Sequence, residues 1–160
     1  MSDIVVRAAH TGDENTILGL LRELAAYERL EHRFRITPEI VTHDFFCAPP
    51  ALGCDLAFLD GRAAGIATWY PTYASFSGTR GVYIEDFYVP GELRRRGIGR
   101  ALLARVAKRA VETGATHIQW SVLKWNRPAI DFYEGVCAER VDDWHIYRLV
   151  GKPLADLAGA

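Results

Sequence analysis

A chain of 160 residues, 49% hydrophobic and 24% charged, is long enough to bury one genuine core without covalent staples. Its formal charge of -1 excludes a global electrostatic hold on nucleic acid or on an acidic membrane, so any anion site must be local. The 3 cysteines, Cys47, Cys54 and Cys137, lack CxxC spacing, which argues against a disulfide framework and for a reducing cytoplasm.

The first residues, Met1-Ser2-Asp3-Ile4-Val5-Val6-Arg7, have neither a basic n-region nor a long apolar run, so no signal peptide is expected. No stretch approaches the ~20 apolar residues that span a bilayer. The 5 histidines are scattered, and no metal-ligand spacing is found.

Ile4 to Ala8 reads as a first strand. Thr11-Gly12-Asp13-Glu14 matches a capping box, with Thr11 as the cap and Glu14 reaching back to it. Ile17, Leu18, Leu20, Leu21, Leu24 and Ala25 follow at helical spacing. Thr37-Pro38-Glu39 starts a second helix, which ends near Phe46, before Pro49-Pro50.

Cys54 to Leu59, the turn Asp60-Gly61 and Ala63 to Tyr73 form a hairpin. After the turn at Ser77-Gly78, Val82 to Val89 is a third strand of this group, stopped by Pro90-Gly91. Ile98, Leu102, Leu103, Val106, Ala107 and Ala110 line a long helix that Gly114 closes. His117 to Leu123 is a strand, Asn126 starts a short helix through Tyr133, and two closing strands are expected around Arg140 and over Trp144 to Val150. The expected order is β-α-α-β-β-β-α-β-α-β-β, one α+β domain over residues 1–160.

Arg94-Arg95-Arg96-Gly97-Ile98-Gly99 lies between a strand and the N-terminus of the long helix. Such a junction aims backbone N–H groups at one point, where the helix dipole also favours an anion. Glycines let a diphosphate approach the backbone. It is not a Walker loop, since no Gly-Lys-Ser/Thr follows, and Leu102 stands where a dinucleotide fingerprint needs its third glycine. A solvated basic loop capping a helix is the plainer reading of the same residues.

Arg94-x-x-Gly97-x-Gly99 resembles the R/Q-x-x-G-x-G/A pyrophosphate loop of GNAT acetyltransferases. Three further stretches are similar, in order and spacing, to diamine (spermidine/spermine) N1-acetyltransferases and their thialysine-acetylating relatives. They are Glu23-Leu24-Ala25-Ala26-Tyr27-Glu28, Ile84-Glu85-Asp86-Phe87-Tyr88-Val89, and Trp125-Asn126-Arg127-Pro128-Ala129-Ile130-Asp131-Phe132-Tyr133. The resemblance implies the GNAT fold, a mixed and mostly antiparallel sheet flanked by helices. It also implies acetyl-CoA as co-substrate without a metal, a small cationic amine as acceptor, and a homodimer.

Residue by residue, the resemblance implies that Arg94, Arg95, Arg96, Gly97, Ile98, Gly99 and Arg100 hold the pyrophosphate. Phe87, Tyr88 and Val89 would offer backbone groups to the pantetheine arm, with Gln119, Trp120, Ser121 and Asn126 beside it. Asn126 serves equally well as a plain helix cap. Tyr27 and Glu28 correspond to acceptor-binding positions of the polyamine enzymes; by charge alone Glu28, Glu85 and Asp86, with Asp142 and Asp143 if their loop folds back, would form an acidic mouth that favours a cationic acceptor. Cys137 departs from the family pattern, which has glycine there.

Acetyl transfer to an amine requires removal of a proton from an alkylammonium, donors for an oxyanion, and protonation of a departing thiolate. The resemblance makes Tyr133 the general acid; at helical spacing beside Phe132 it also reads as a core aromatic. It makes Glu85 the base, directly or through water; a structural carboxylate paired with arginine is the alternative. Alternation along the strand points Glu85 and Asp86 to opposite faces, one of them half-buried with a raised pKa.

Two other classes stand beside the enzyme. Arg94, Arg95, Arg96, Arg100, Arg105, Lys108 and Arg109 form a basic run, but near-neutral charge and the lack of a reading motif argue against nucleic acid. A non-catalytic acyl-CoA-binding module would keep the glycine loop and lose Tyr133 and Glu85, which are present. Among acceptors, a polyamine, a thialysine-like amino acid and a protein lysine all remain open.

Overall fold

Apolar stretches between Ile4 and Trp120 pair into one five-stranded sheet whose strands lie side by side in chain order. A computed structural model describes residues 3–159, which fall into two compact units divided between Ser121 and Val122. The first unit holds strands β1 (Ile4–Ala8), β2 (Gly53–Leu59), β3 (Arg62–Ala74), β4 (Thr79–Tyr88) and β5 (Ala115–Trp120). Neighbours pair antiparallel except β4 and β5, which are parallel. A parallel pair needs a crossover, and α3 (Ile98–Glu112) supplies it.

Each face of the sheet is covered by apolar side chains at helical spacing. On one face α1 (Glu14–Tyr27) buries Ile17, Leu18, Leu20, Leu21 and Leu24 against Leu56, Ile66 and Tyr88. Val41 and Phe45 join them from α2 (Pro38–Val41) and the π-helical turn Thr42–Phe46 that continues it. On the other face Ile98, Leu102, Val106 and Ala110 of α3 pack on Ala57, Ala64, Ala67, Val82 and Ile84. Each fully buried Leu or Ile contributes roughly 1.5–3 kcal/mol. Gly65 lets α3 come close: a Cβ there would lie 2.8 Å from Leu102 Cδ1 and 2.9 Å from the Tyr88 carbonyl.

The start of α1 differs from the expected capping box. Asp13, not Thr11, is the N-cap residue, because Arg7 of β1 grips its carboxylate at 2.6 and 2.8 Å. The backbone N–H of His10 donates to the same group at 2.9 Å. The guanidinium of Arg7 lowers the Asp13 carboxyl to about 2. Glu14 still reaches back, but to the Gly12 N–H at 2.8 Å.

In the second unit, α4 (Arg127–Gly135) begins at Asn126, whose side chain accepts from the Ala129 N–H. The two closing strands expected around Arg140 and over Trp144 to Val150 are absent, and β5 stops at Trp120 instead of Leu123. Trp144, Ile146 and Tyr147 are 77%, 84% and 91% exposed, so a strand-like pattern stands without a partner ladder. A helix, α5 (Lys152–Ala158), follows, with Gly151 before it, Pro153 in its first turn and Gly159 after it.

Cys137 shows why its position favours glycine. The Ala138 N–H donates to the Tyr133 carbonyl at 3.0 Å and the Cys137 N–H to the Glu134 carbonyl at 3.0 Å, the Schellman pair that ends a helix. That motif needs a left-handed residue, and Cys137 supplies it at φ 62°. Replacing Cys137 by Gly should therefore stabilise the protein by about 1 kcal/mol. Urea titration of the two proteins checks the sign; a loss of stability would contradict this account.

Candidate active site

Between β4 and α3 the chain makes a short 3-10 turn, Gly91–Leu93, and then the arginine-glycine loop. Gly97 is the N-cap of α3 at φ 87°, and Arg95 is also left-handed at φ 60°. No side chain caps this helix. Its first N–H groups are thus presented to whatever approaches, with the helix dipole behind them. A Cβ on Gly97 would meet only Ile4 Cδ1, at 3.8 Å, so the requirement for glycine is conformational and not steric crowding. Ile98 is buried and pins the loop to the core, while Arg95, Arg96 and Arg100 are exposed.

Arg94 is employed differently from its neighbours. Its Nε donates to the Val89 carbonyl at 3.0 Å, and its guanidinium lies 4.4 Å above the Tyr27 ring. Tyr27 in turn packs 6.3 Å from the Tyr88 ring. Arg94 therefore braces the loop against α1 and β4, while Arg95, Arg96 and Arg100 stay exposed.

Two features of β4 shape the site beside this loop. The β4–β5 ladder ends at Ile84↔Trp120, so Asp86 to Tyr88 run on paired with β3 while β5 has left them. Phe87 and Tyr88 thus lie beyond the register in which Gln119 and Trp120 pair with Tyr83 and Ile84. The second feature is a bulge: β3 pairs Thr68 with Asp86 and Trp69 with Ile84, skipping Glu85. An extra residue bends a strand and re-aims its side chains. Simple alternation would put Ile84 and Asp86 on one face; after the bulge Ile84 packs with α3 and Asp86 shares the α1 face with Thr68.

Asp86 is the half-buried carboxylate that alternation anticipated. The Thr68 hydroxyl donates to it at 2.6 Å and accepts from the Asp86 N–H at 3.1 Å. Burial raises its pKa, and the Thr68 bond offsets part of that rise. Glu28 lies close enough to feel its charge: burial first, then Asp86, pushes the Glu28 carboxyl up. Glu28 is held there by the end of α1, where Arg29 turns left-handed at φ 60°. Glu85 itself is exposed. In the second unit Phe132 and Tyr133 pack at 5.4 Å between ring centroids on α4, and Asp143 is exposed in the stretch before α5.

One constellation gave no sequence signal. Asp55 of β2 is 0% exposed and accepts from Trp69 Nε1 at 3.0 Å and Arg105 Nε at 3.2 Å, with Arg109 Nη2 at 3.6 Å. The Arg109 guanidinium also stacks 4.8 Å over the Trp69 ring. Arg94, Arg105 and Arg109 of the basic run are thus turned onto the protein itself, which leaves no continuous basic face along it.

The chain matches the model of the acetyltransferase (GNAT) family over residues 18–137. It is 33% identical to a thialysine N-epsilon-acetyltransferase of Bos taurus over 99% of both chains. An L-ornithine N5-acetyltransferase of Arabidopsis thaliana is 42% identical over 59% of this chain and 42% of its own. Among solved structures, an integron cassette protein from the mobile metagenome of V. cholerae superposes with a TM-score of 0.82 over 98% of each chain, at 20% identity. Open sheet, crossover helix and uncapped glycine turn therefore go with a shared ancestry: the chain belongs to the GNAT family and is an N-acetyltransferase.

Proposed function

We propose that this enzyme moves an acetyl group from acetyl-CoA to a primary amine of a small cationic acceptor, a short diamine or a lysine-like amine. The observation that carries this reading is the half-buried carboxylate pair Glu28 and Asp86, set on the α1 face of the sheet and fixed by a helix end and by Thr68. Buried carboxylates favour a cation that replaces the water they have lost. The names of the thialysine and ornithine relatives point the same way, toward amines that carry additional charged groups.

The loop from Arg94 to Arg100 suits the diphosphate of acetyl-CoA. Its uncapped amides and exposed Arg95, Arg96 and Arg100 are donors, and the left-handed turn at Gly97 keeps the backbone accessible. Phe87, Tyr88, Val89, Gln119, Trp120, Ser121 and Asn126 are assigned to the pantetheine arm, an assignment favoured by the parting of β4 from β5. Replacing Gly97 by Val adds a β-branched side chain at positive φ and should weaken CoA binding at least ten-fold. Lys108→Ala, an exposed change outside the loop, should leave it unchanged; calorimetry of both decides, and equal small losses would remove the loop from the site.

In the reaction, Glu85 takes a proton from the acceptor ammonium, directly or through water, which suits an exposed carboxylate on a bulge. The free amine nitrogen then attacks the thioester carbonyl. As the C–S bond breaks Tyr133 gives its phenolic proton to the departing thiolate, and the new amide nitrogen gives up its surplus proton, which restores the phenol. Tyr27, Glu28, Asp86 and Asp143 belong to the acceptor side.

Both units are read as parts of one acetyltransferase domain, since the family match runs across their boundary. A homodimer is proposed on the apolar residues left exposed, Trp144, Ile146 and Tyr147 foremost. Free thiols at Cys47, Cys54 and Cys137 suit the cytoplasm. No helix among the described residues is long and apolar enough to cross a membrane.

Glu28→Gln tests the acceptor reading. It should raise KM for a dication more than for a monocation, with kcat changing less. For the parent, KM for the dication should rise as pH falls toward the raised pKa values of Glu28 and Asp86, because protonation removes the charges that hold it. A dication-to-monocation ratio that ignores both the substitution and the pH would exclude the carboxylate pair from the acceptor site.

A further inference from the structure

The face of the sheet that carries Asp86 continues past it in an ordered way. On β3 the residues Ile66, Thr68 and Tyr70 share this face at the two-residue period. Their β4 partners are Tyr88, Asp86 and Tyr83. The strip therefore runs from an apolar pair under α1, through the Thr68–Asp86 hydrogen bond, to a pair of tyrosines. Tyr70 and Tyr83 stack with ring centroids 5.3 Å apart and planes 28° from parallel. The Tyr83 hydroxyl is fixed by Ser121 Oγ at 2.7 Å. Both rings are half-buried, so an aromatic surface stays open to a ligand.

Charge sets the kind of ligand this surface can hold. The bulge puts Glu85 next to the pair, close enough for its carboxylate, after burial, to raise the Tyr70 phenol. Asp86 lies one step along the same strip, and Glu28, at the end of α1, is near enough to feel its charge. Aromatic faces bounded by carboxylates attract an alkylammonium through the ring quadrupole. Thr68 and Tyr70 are two residues apart, about 6.6–6.8 Å along the strand, a separation that suits the nitrogens of an extended short diamine. Rings held by stacking and by a hydroxyl bond lose little freedom when a ligand arrives.

We propose that the Tyr70–Tyr83 stack, fixed by Ser121, is the aromatic wall of the acceptor site and seats the reacting alkylammonium beside Glu85, while Glu28 and Asp86 take a second, non-reacting charge. The proposal rests on the acceptor reading above and divides that site into two parts. The aromatic wall serves every alkylammonium; the carboxylate pair serves only those with a second cation.

The test measures KM and kcat for 1,4-diaminobutane, for n-butylamine and for aniline, which is uncharged at neutral pH. Tyr70→Leu should raise KM roughly 3- to 30-fold for both alkylammonium acceptors, the range a cation on an aromatic face supports, and less for aniline. KM for acetyl-CoA should not move. Tyr70→Phe keeps the ring and should stay near the parent, while Tyr83→Phe, which loses the bond to Ser121, should fall between the parent and the ring deletions. Tyr83→Leu is the second ring deletion if Tyr70→Leu fails to fold, which circular dichroism would reveal. The proposal is overturned if ring removal leaves the alkylammonium KM values unchanged, or if Tyr70→Phe is as damaging as Tyr70→Leu. A parent enzyme that preferred aniline would instead sink the cationic-acceptor reading itself, so the two failures are distinct.

Discussion

Replacing Tyr133 by Phe should lower kcat by roughly 10²–10⁴-fold while the affinity for CoA stays almost intact, because the change removes one proton and keeps the ring. The ring is what packs on Phe132 in α4, so folding should be preserved. A pH profile separates this effect from loss of the base. Glu85→Gln should be most damaging near neutral pH and recover in part at alkaline pH, where more of the amine is already free. Tyr133→Phe should show no such recovery. Parent-like turnover by Tyr133→Phe would remove the phenol from the mechanism.

Asp55→Ala should cost about 3 kcal/mol of stability, the largest single loss expected outside the apolar core. The substitution strands Arg105, Arg109 and Trp69 Nε1 around a site with 0% exposure. Both arginines are partly open to water, which keeps the loss at the lower end of the range for broken buried pairs. Asp55→Asn should cost less, since the amide oxygen still accepts one bond. Urea unfolding of the two variants checks the order. Because the arginine-glycine loop lies at the other end of α3, calorimetry on the folded fraction should find CoA affinity little changed; a large loss there would make the network part of the binding apparatus.

The elements that could be read from the chain were those with a local signature. Helical spacing in α1 and α3, Asp60-Gly61 between β2 and β3, and Asn126 before Arg127-Pro128 each act within a few residues. The glycine turn before α3 belongs to the same class. What escaped was set at a distance. The bulge at Glu85 depends on where Thr68 and Trp69 of β3 lie, and one skipped residue moves Asp86 to the other face. The partner of Arg105 and Arg109 is Asp55 of β2, some 50 residues earlier, so nothing near the two arginines in the chain discloses it.

Trp144 to Val150 illustrates the opposite error. Its alternation meets the local requirement for a strand, but a strand exists only when a ladder receives it, and none does among the described residues. The helix after it, bounded by Gly151 and Gly159 with Pro153 in its first turn, has local signals that the expected strand order did not include. At Cys137 the sequence showed an unusual residue, and the structure supplies the cause, a left-handed helix cap normally given to glycine.

The proposed reaction is acetyl transfer from acetyl-CoA to a small amine that carries more than one positive charge. Thiol release measured with acetyl-CoA against 1,4-diaminobutane, ornithine and n-butylamine, with the products weighed by mass spectrometry, tests it. One acetylated amine is expected for each thiol released, with a higher kcat/KM for the two acceptors with two amino groups than for n-butylamine, a margin that shrinks as salt screens the carboxylates. Thiol release that proceeds at the same rate without an amine, or a preference for the monoamine, would contradict it.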